Sequence, residues 1–208
     1  MNKQDKDWLT SLLSVVHIPS EDIPNIELYI DQITTFMDTR LDKTRRYPDD
    51  KIMTKTMVNN YTKNHLLPPS VKKKYSREHI FLLIMIYHLK NMLSISDIQT
   101  LLEPLSEIYF PKHKESGLSL KEIYDRTTQK ASLREKEIEE EIFYTWQSTR
   151  NSYDDFQLNP ENAGYLDDFS FIYQLCYDIY VRKQMIEKII DYHKDTLPES
   201  HGKKKKEK

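Results

Sequence analysis

The stretch TKTMVNNYTKNHLLPPSVKKKYSREHIFLLIMIYHLKNMLSISDIQTLLEPL, residues 54–105, decides how the chain is read. Its punctuation divides it into short elements. Thr54 is a good N-cap for a helix running from Lys55 to about Asn64, with Met57, Val58 and Tyr61 on its apolar side. Pro68 and Pro69 bar its continuation, and the basic segment SVKKKYS follows. Ser76 then caps a strongly apolar helix from Arg77 to about Met92. Glu78 lies in its first turn, where the helix dipole favours a negative charge. Ser94 opens a further short helix expected to end before Pro104.

Upstream, Trp8, Leu12, Leu13, Val15 and Val16 predict an amphipathic helix over about Lys6 to His17, ended by Pro19 and Pro24. Ile26, Tyr29, Ile30, Ile33 and Phe36 predict a second helix from after Pro24 to about Leu41, followed by the basic connector KTRRYPDDK. Downstream, residues 106–118 lack a period and contain Pro111 and Gly117, so the main boundary is expected there. Ser119 to about Thr149 reads as one long charged helix, NSYDDFQLNPENAG as a loop, and Tyr165 to His193 as a last long helix. The resulting division is an N-terminal helix (1–25), a module over 26–105, a linker (106–118), a helical C-terminal region (119–197) and a disordered basic tail (198–208). There is no internal repeat.

Composition excludes several classes. Of the 208 residues, 31% are charged and 11% aromatic, and only three are glycine. Few positions can therefore hold a positive φ cheaply, which disfavours tight-turned all-β folds and glycine-rich phosphate loops. The longest apolar run, Ile80 to Tyr87, is far short of the roughly 20 residues of a spanning helix, and no membrane partner is expected. Cys176 stands alone, so no internal disulfide forms; the expected location is cytoplasmic. His79 and His88 are nine residues apart and fall on opposite helix faces. His17, His113, His193 and His201 have no ligand-spaced partner, so no metal is expected. The adjacent pairs Asp154–Asp155 and Asp167–Asp168 diverge and make no acid/base dyad. No catalytic residue, cofactor or enzyme signature is expected.

Charge is distributed unevenly. Between Arg40 and His79 there are eleven Lys or Arg against four acids, a balance of +7; with −2 overall, the rest carries −9. A basic stretch in an acidic chain points to a polyanion. The helix at 55–64 offers Lys55, Thr56, Asn59, Asn60 and Lys63 to base edges and phosphates, asparagine being a natural bidentate partner of adenine. Lys72, Lys73, Lys74 and Arg77 surround Tyr75, as a wing along a phosphate backbone would require. Tyr61 is expected to pack into the domain with its hydroxyl within reach of a phosphate.

The run YTKNHLLPPSVKKKYSREHIFLLIMIYHLKNMLSISDIQTLL resembles the core of MerR-type winged regulators. Tyr61, Leu66–Leu67, Pro68–Pro69, Lys73-x-Tyr75, the Ile80–Leu93 helix and Ser94 to Leu102 stand where that family has its characteristic residues. Motifs such as TKTMVNNYTK and KKYSREHI resemble more closely an uncharacterised MerR-like family of Gram-positive bacteria. The chain departs from the MerR pattern at Asn59, where arginine is usual, and at His65, where glycine is usual. The resemblance implies a mainly α fold, a winged helix-turn-helix module followed by a helical C-terminal region. It also implies sequence-specific transcriptional regulation on double-stranded DNA by a homodimer, with RNA polymerase as a further partner. The other reading is a non-catalytic protein-interaction module on the same scaffold. Tyr165, Phe169, Tyr173, Tyr177 and Tyr180 form one helical stripe, read as a packing or dimer interface in preference to a ring-lined effector pocket.

Overall fold

The computed structural model describes residues 3–13, 15–110 and 117–196. His113, His201 and the basic tail lie outside the described residues, as does the middle of the expected linker. The chain is mainly helical. In order come α1 (Lys3–Leu12), strand β1 (Leu28–Tyr29), α2 (Ile30–Arg40), α3 (Lys55–Lys63), strand β2 (Lys74–Tyr75), α4 (Arg77–Leu89), α5 (Ile95–Tyr109), α6 (Leu120–Leu133), α7 (Glu135–Thr149) and α8 (Pro160–Thr196).

Helix α4 is the axis of the core. His79, Ile80, Phe81, Leu82, Leu83, Ile84 and Ile86 are all buried, so the helix is enclosed on every side. Around it pack Ile33, Met37 and Leu41 from α2 and the following turn, Val58 and Tyr61 from α3, Ile98 and Leu102 from α5, and Leu120 and Tyr124 from α6. The core is thus continuous across residues 106–118. The Tyr124 hydroxyl donates to the Ile18 carbonyl at 2.7 Å, which ties the N-terminal segment down; burial pushes this phenol up to about 12.

Five expectations are corrected, one of them at α8, which begins at Pro160 inside the expected loop NSYDDFQLNPENAG and not at Tyr165. The second helix does not start directly after Pro24: Leu28 and Tyr29 are extended and pair antiparallel with Tyr75 and Lys74 before α2 begins. The pairing fixes these backbones, and the Gln32 side chain then caps α2 by accepting the Tyr29 N–H at 2.9 Å. Helix α5 passes through Pro104 and ends at Tyr109. A proline inside a helix removes one hydrogen bond, yet Leu102 and Tyr109 are buried on either side of it, so packing outweighs the local penalty. Ser119–Thr149 is two helices, broken at Arg134, whose N–H reaches Ala131 instead of the residue four back. Lastly, the N-terminal helix ends at Leu12, and His17, expected to be helical, instead pairs with Glu135 of α7.

Helix α8 is about 55 Å long by the α-helical rise. It lies along α7, with Phe171 edge-on to Trp146 at 5.0 Å, and its far end reaches α5 through Lys194 and Asp97 at 2.9 Å. Trp8 of α1 packs on the same Trp146 at 5.2 Å.

Candidate nucleic-acid interface

Helix α3 is amphipathic by construction. The Thr54 hydroxyl accepts the Met57 N–H at 3.1 Å and so caps its first turn. Val58 and Tyr61 turn inward, while Lys55, Thr56, Asn59, Asn60 and Lys63 are exposed. At about 100° per residue these five fall within roughly 140° of one face. Lys55 pairs with Asp31 at the start of α2. The Tyr61 ring is in the core, and burial raises its phenol above the ordinary range.

The end of α3 is closed by a residue with positive φ. His65 has φ 58°, in the left-handed region. Its N–H bonds the Thr62 carbonyl at 3.2 Å, and the Leu66 N–H bonds the Tyr61 carbonyl at 2.9 Å. This is the Schellman arrangement, in which glycine is the cheapest occupant. Here a histidine holds that conformation.

The same device recurs at the basic segment. Val71 and Lys74 exchange both backbone hydrogen bonds, at 3.0 and 2.9 Å, which closes a two-residue hairpin turn on Lys72 and Lys73. Both have positive φ, 51° and 64°, the signs of a type I′ turn, where Asn-Gly is favoured. Holding a side-chain-bearing residue there costs about 1–2 kcal/mol. The scarcity of glycine is therefore met by strain: four non-glycine residues have positive φ (His65, Lys72, Lys73 and Asn151), and no described glycine does.

Lys72 and Lys73 are exposed at the hairpin tip and have no acidic partner among the described residues. Lys74 sits lower, 3.9 Å from Glu27 and 5.7 Å from the Tyr29 ring centroid. Tyr75 is buried and edge-on to His79. Arg77 donates to the Ser20 carbonyl and lies 5.5 Å over Phe81, so it clamps the N-terminal segment to α4. The eleven candidate positions thus divide. Lys55, Thr56, Asn59, Asn60, Lys63, Lys72 and Lys73 face outward; Tyr61, Tyr75 and Arg77 build the support; Lys74 joins the two sets. Strand β1 pairs with β2 and leads directly into α2, which receives Lys55, so hairpin and α3 are braced by one segment, Glu27 to Asp31.

His79 serves that support. The Ser76 N–H donates to its Nδ1 at 3.0 Å, and Phe110 packs edge-on at 4.6 Å. Burial holds its pKa below the usual histidine range, against the Pro69 carbonyl and the Glu78 carboxylate, which favour the charged form.

Elsewhere, Asp167 is buried and accepts the backbone N–H groups of Asn151 and Ser152 at 2.9 and 3.3 Å, while Asp168 pairs with Arg150 at 2.6 Å. Both are thereby committed to the α7–α8 turn. Among the described residues no three His, Cys, Asp or Glu side chains group as metal ligands, and no helix is long and apolar enough to cross a membrane. The tyrosine stripe of α8 is exposed, and it lines neither the 500 Å³ groove beside α2 nor the 290 Å³ groove between α3 and α5. The basic connector KTRRYPDDK, residues 43–51, lies within a longer connection between α2 and α3, residues 41–54. Its signal was its length, well beyond the 3–4 residues of a helix-turn-helix turn.

A family described as a domain of unknown function, DUF1836, matches residues 18–127, just over half of the 208 residues, and the chain belongs to that family. The match covers both strands, α2 to α5 and most of α6. Every member of the main core cluster except Ile190 falls inside it. No match is found among curated proteins or among solved structures.

Proposed function

We propose that this member of the DUF1836 family is a DNA-binding transcriptional regulator of the winged helix-turn-helix, MerR-like kind, acting without covalent chemistry. Helix α3 is the recognition helix, presenting Asn59 and Asn60 to base edges with Lys55 and Lys63 toward phosphates. The β2 hairpin is the wing. The observation that carries this reading is the turn at Lys72 and Lys73. Two exposed lysines occupy adjacent left-handed positions where Asn-Gly would relieve the strain. Strain retained at an exposed, unpaired cationic tip is a mark of function. A second copy, packed on the exposed aromatic face of α8, would double the phosphate contacts and present two recognition helices.

The test is a salt titration of binding to genomic duplex fragments. The wild-type chain is retained at low salt and released steeply as salt rises. Lys72→Ala/Lys73→Ala lowers the slope of log K against log salt by about 0.9 per lost phosphate contact. Failure of the wild-type chain to bind any fragment at low salt would reject the reading in favour of a protein-interaction module.

A further inference from the structure

We infer that the connector between α2 and α3, residues 41–54, is a second contact for the phosphate backbone of the same duplex, made by Arg46, Tyr47 and Lys51; this rests on the DNA-binding reading of α3. The regular structure of this connector is a single 3-10 turn, Asp42–Thr44, and connections of this length with so little are uncommon in compact domains unless they serve a function. This one is held in a defined shape. Leu41, Ile52 and Met53 are buried at its two ends. The Thr44 hydroxyl meets the Tyr87 hydroxyl, and the Lys90 ammonium donates to the Ile52 carbonyl at 3.0 Å. Arg45 is bound to Asp38 and Asp42 and donates to the Pro48 carbonyl, so its charge is spent internally.

That bracing presents the tip. Tyr47 to Asp50 form a turn with Pro48 second: the Asp50 N–H bonds the Tyr47 carbonyl at 3.0 Å, and the Tyr47 N–H bonds Asp50 Oδ2 at 2.9 Å. Tyr47 is left 57% exposed, with the Arg46 guanidinium 5.2 Å over its ring. Lys43, Arg46 and Lys51 are exposed and have no ion-pair partner among the described residues. The tip's acids are Asp50, engaged in the turn, and the exposed Asp49. A planar guanidinium pre-set on an aromatic ring suits a phosphate oxygen pair, and the tyrosine edge suits the sugar beside it.

Position favours the same duplex. Lys51 precedes Lys55 by four residues, so at most about 14 Å of chain separates them. The buried Ile52–Met53 pair between them fixes the connector against α3. A duplex lying on the exposed face of α3 therefore has Lys51 within that reach of Lys55, the α3 residue that pairs with Asp31 of the segment bracing the hairpin.

The probe is a mixed-sequence 30-base-pair duplex, followed by fluorescence anisotropy between 50 and 200 mM salt, with circular dichroism to check folding. Arg46→Ala/Lys51→Ala should lower the salt slope by about 1.8, shrinking the affinity loss over that range about tenfold. Tyr47→Ala should weaken binding without changing the slope. Combining Arg46→Ala/Lys51→Ala with Lys72→Ala/Lys73→Ala should give additive slope changes. Wild-type slope in the folded Arg46→Ala/Lys51→Ala variant, with the hairpin variant still impaired, overturns the connector alone. Absence of binding by the wild-type chain overturns the connector and the regulator reading together.

Discussion

Helix α4 spans 13 residues and buries seven of them, whereas α8 spans 37 and, among its described side chains, buries Asp167, Phe171 and Ile190. Both are rich in large apolar residues. The difference is whether the chain itself supplies partners. Around α4, four helices and the β1–β2 ribbon close a core whose members, Ile190 apart, lie between Ile18 and Tyr124. Along α8, one side meets α7 and α5, and the other presents Tyr165, Phe169, Ile172, Tyr173, Tyr177 and Tyr180, each at least half exposed. The family match ends near the same place as the closed core, at residue 127. One region is structurally self-sufficient; the other offers a surface.

The largest expected effect tests that contrast directly. Phe81 packs against Tyr124 at 4.9 Å in the centre of the core, and Phe81→Ala should cost about 3–5 kcal/mol in urea denaturation. Phe169→Ala on α8 should cost no more than about 0.5 kcal/mol in the monomer, because its ring is already in solvent. Equal losses at the two positions would break the comparison.

Next in size is the hairpin, which belongs to the self-sufficient region but carries strain. Lys72→Asn/Lys73→Gly restores the residues a type I′ turn favours and should stabilise the fold by about 1–2 kcal/mol. The same variant should bind duplex DNA more weakly, having lost two cations. A gain in stability together with a loss in binding would identify the turn as a place where conformation is sacrificed to charge. A loss of stability would show that the left-handed lysines carry no strain.

These two regions also differ in how far their sequences could be read. The cap residues Thr54, Ser76 and Ser94, the apolar run from Ile80 and the break at Pro68–Pro69 were legible because each acts locally, through one side chain or one missing N–H. The strand at Leu28–Tyr29 was not, since its extended backbone is imposed by Lys74 and Tyr75 more than forty residues away. Pro104 misled for a related reason: tertiary burial of Leu102 and Tyr109 outweighs a local rule. For the candidate site, the residue types were visible but their division was not. Tyr61, Tyr75 and Arg77 look like Lys72 and Lys73 in a charge count, and only packing separates support from surface. The positive φ at His65 was not legible from the residue itself, because a histidine does not signal a left-handed position as a glycine does.

A smaller effect follows from His79. Its folded-state pKa lies below the unfolded value of about 6.5, so the unfolded chain binds more protons as the pH falls through that region. Stability should be full above pH 6.5, decline as the pH drops toward the folded-state value, and level off below it. His79→Gln keeps an acceptor for the Ser76 N–H and removes the titration. It should flatten this part of the pH profile; an unchanged profile would assign the acid sensitivity elsewhere.

The smallest expected effect on the fold is also the sharpest probe of the exposed region. Tyr173→Ser/Tyr177→Ser removes two exposed rings from the middle of α8. In dilute solution, where any dimer has dissociated, thermal unfolding should match that of the wild-type chain. At high concentration the wild-type Tm should rise, because association stabilises only the folded state, and the variant should lose that rise. The contrast with α4 then becomes quantitative: a core ring counts at every concentration, and an α8 ring counts only when a second copy is present. A wild-type Tm independent of concentration, together with a monomeric mass in sedimentation, would remove the second copy from the proposal. The α8 face would then need a partner of different composition, while the duplex contacts of α3 and the hairpin would stand on their own tests.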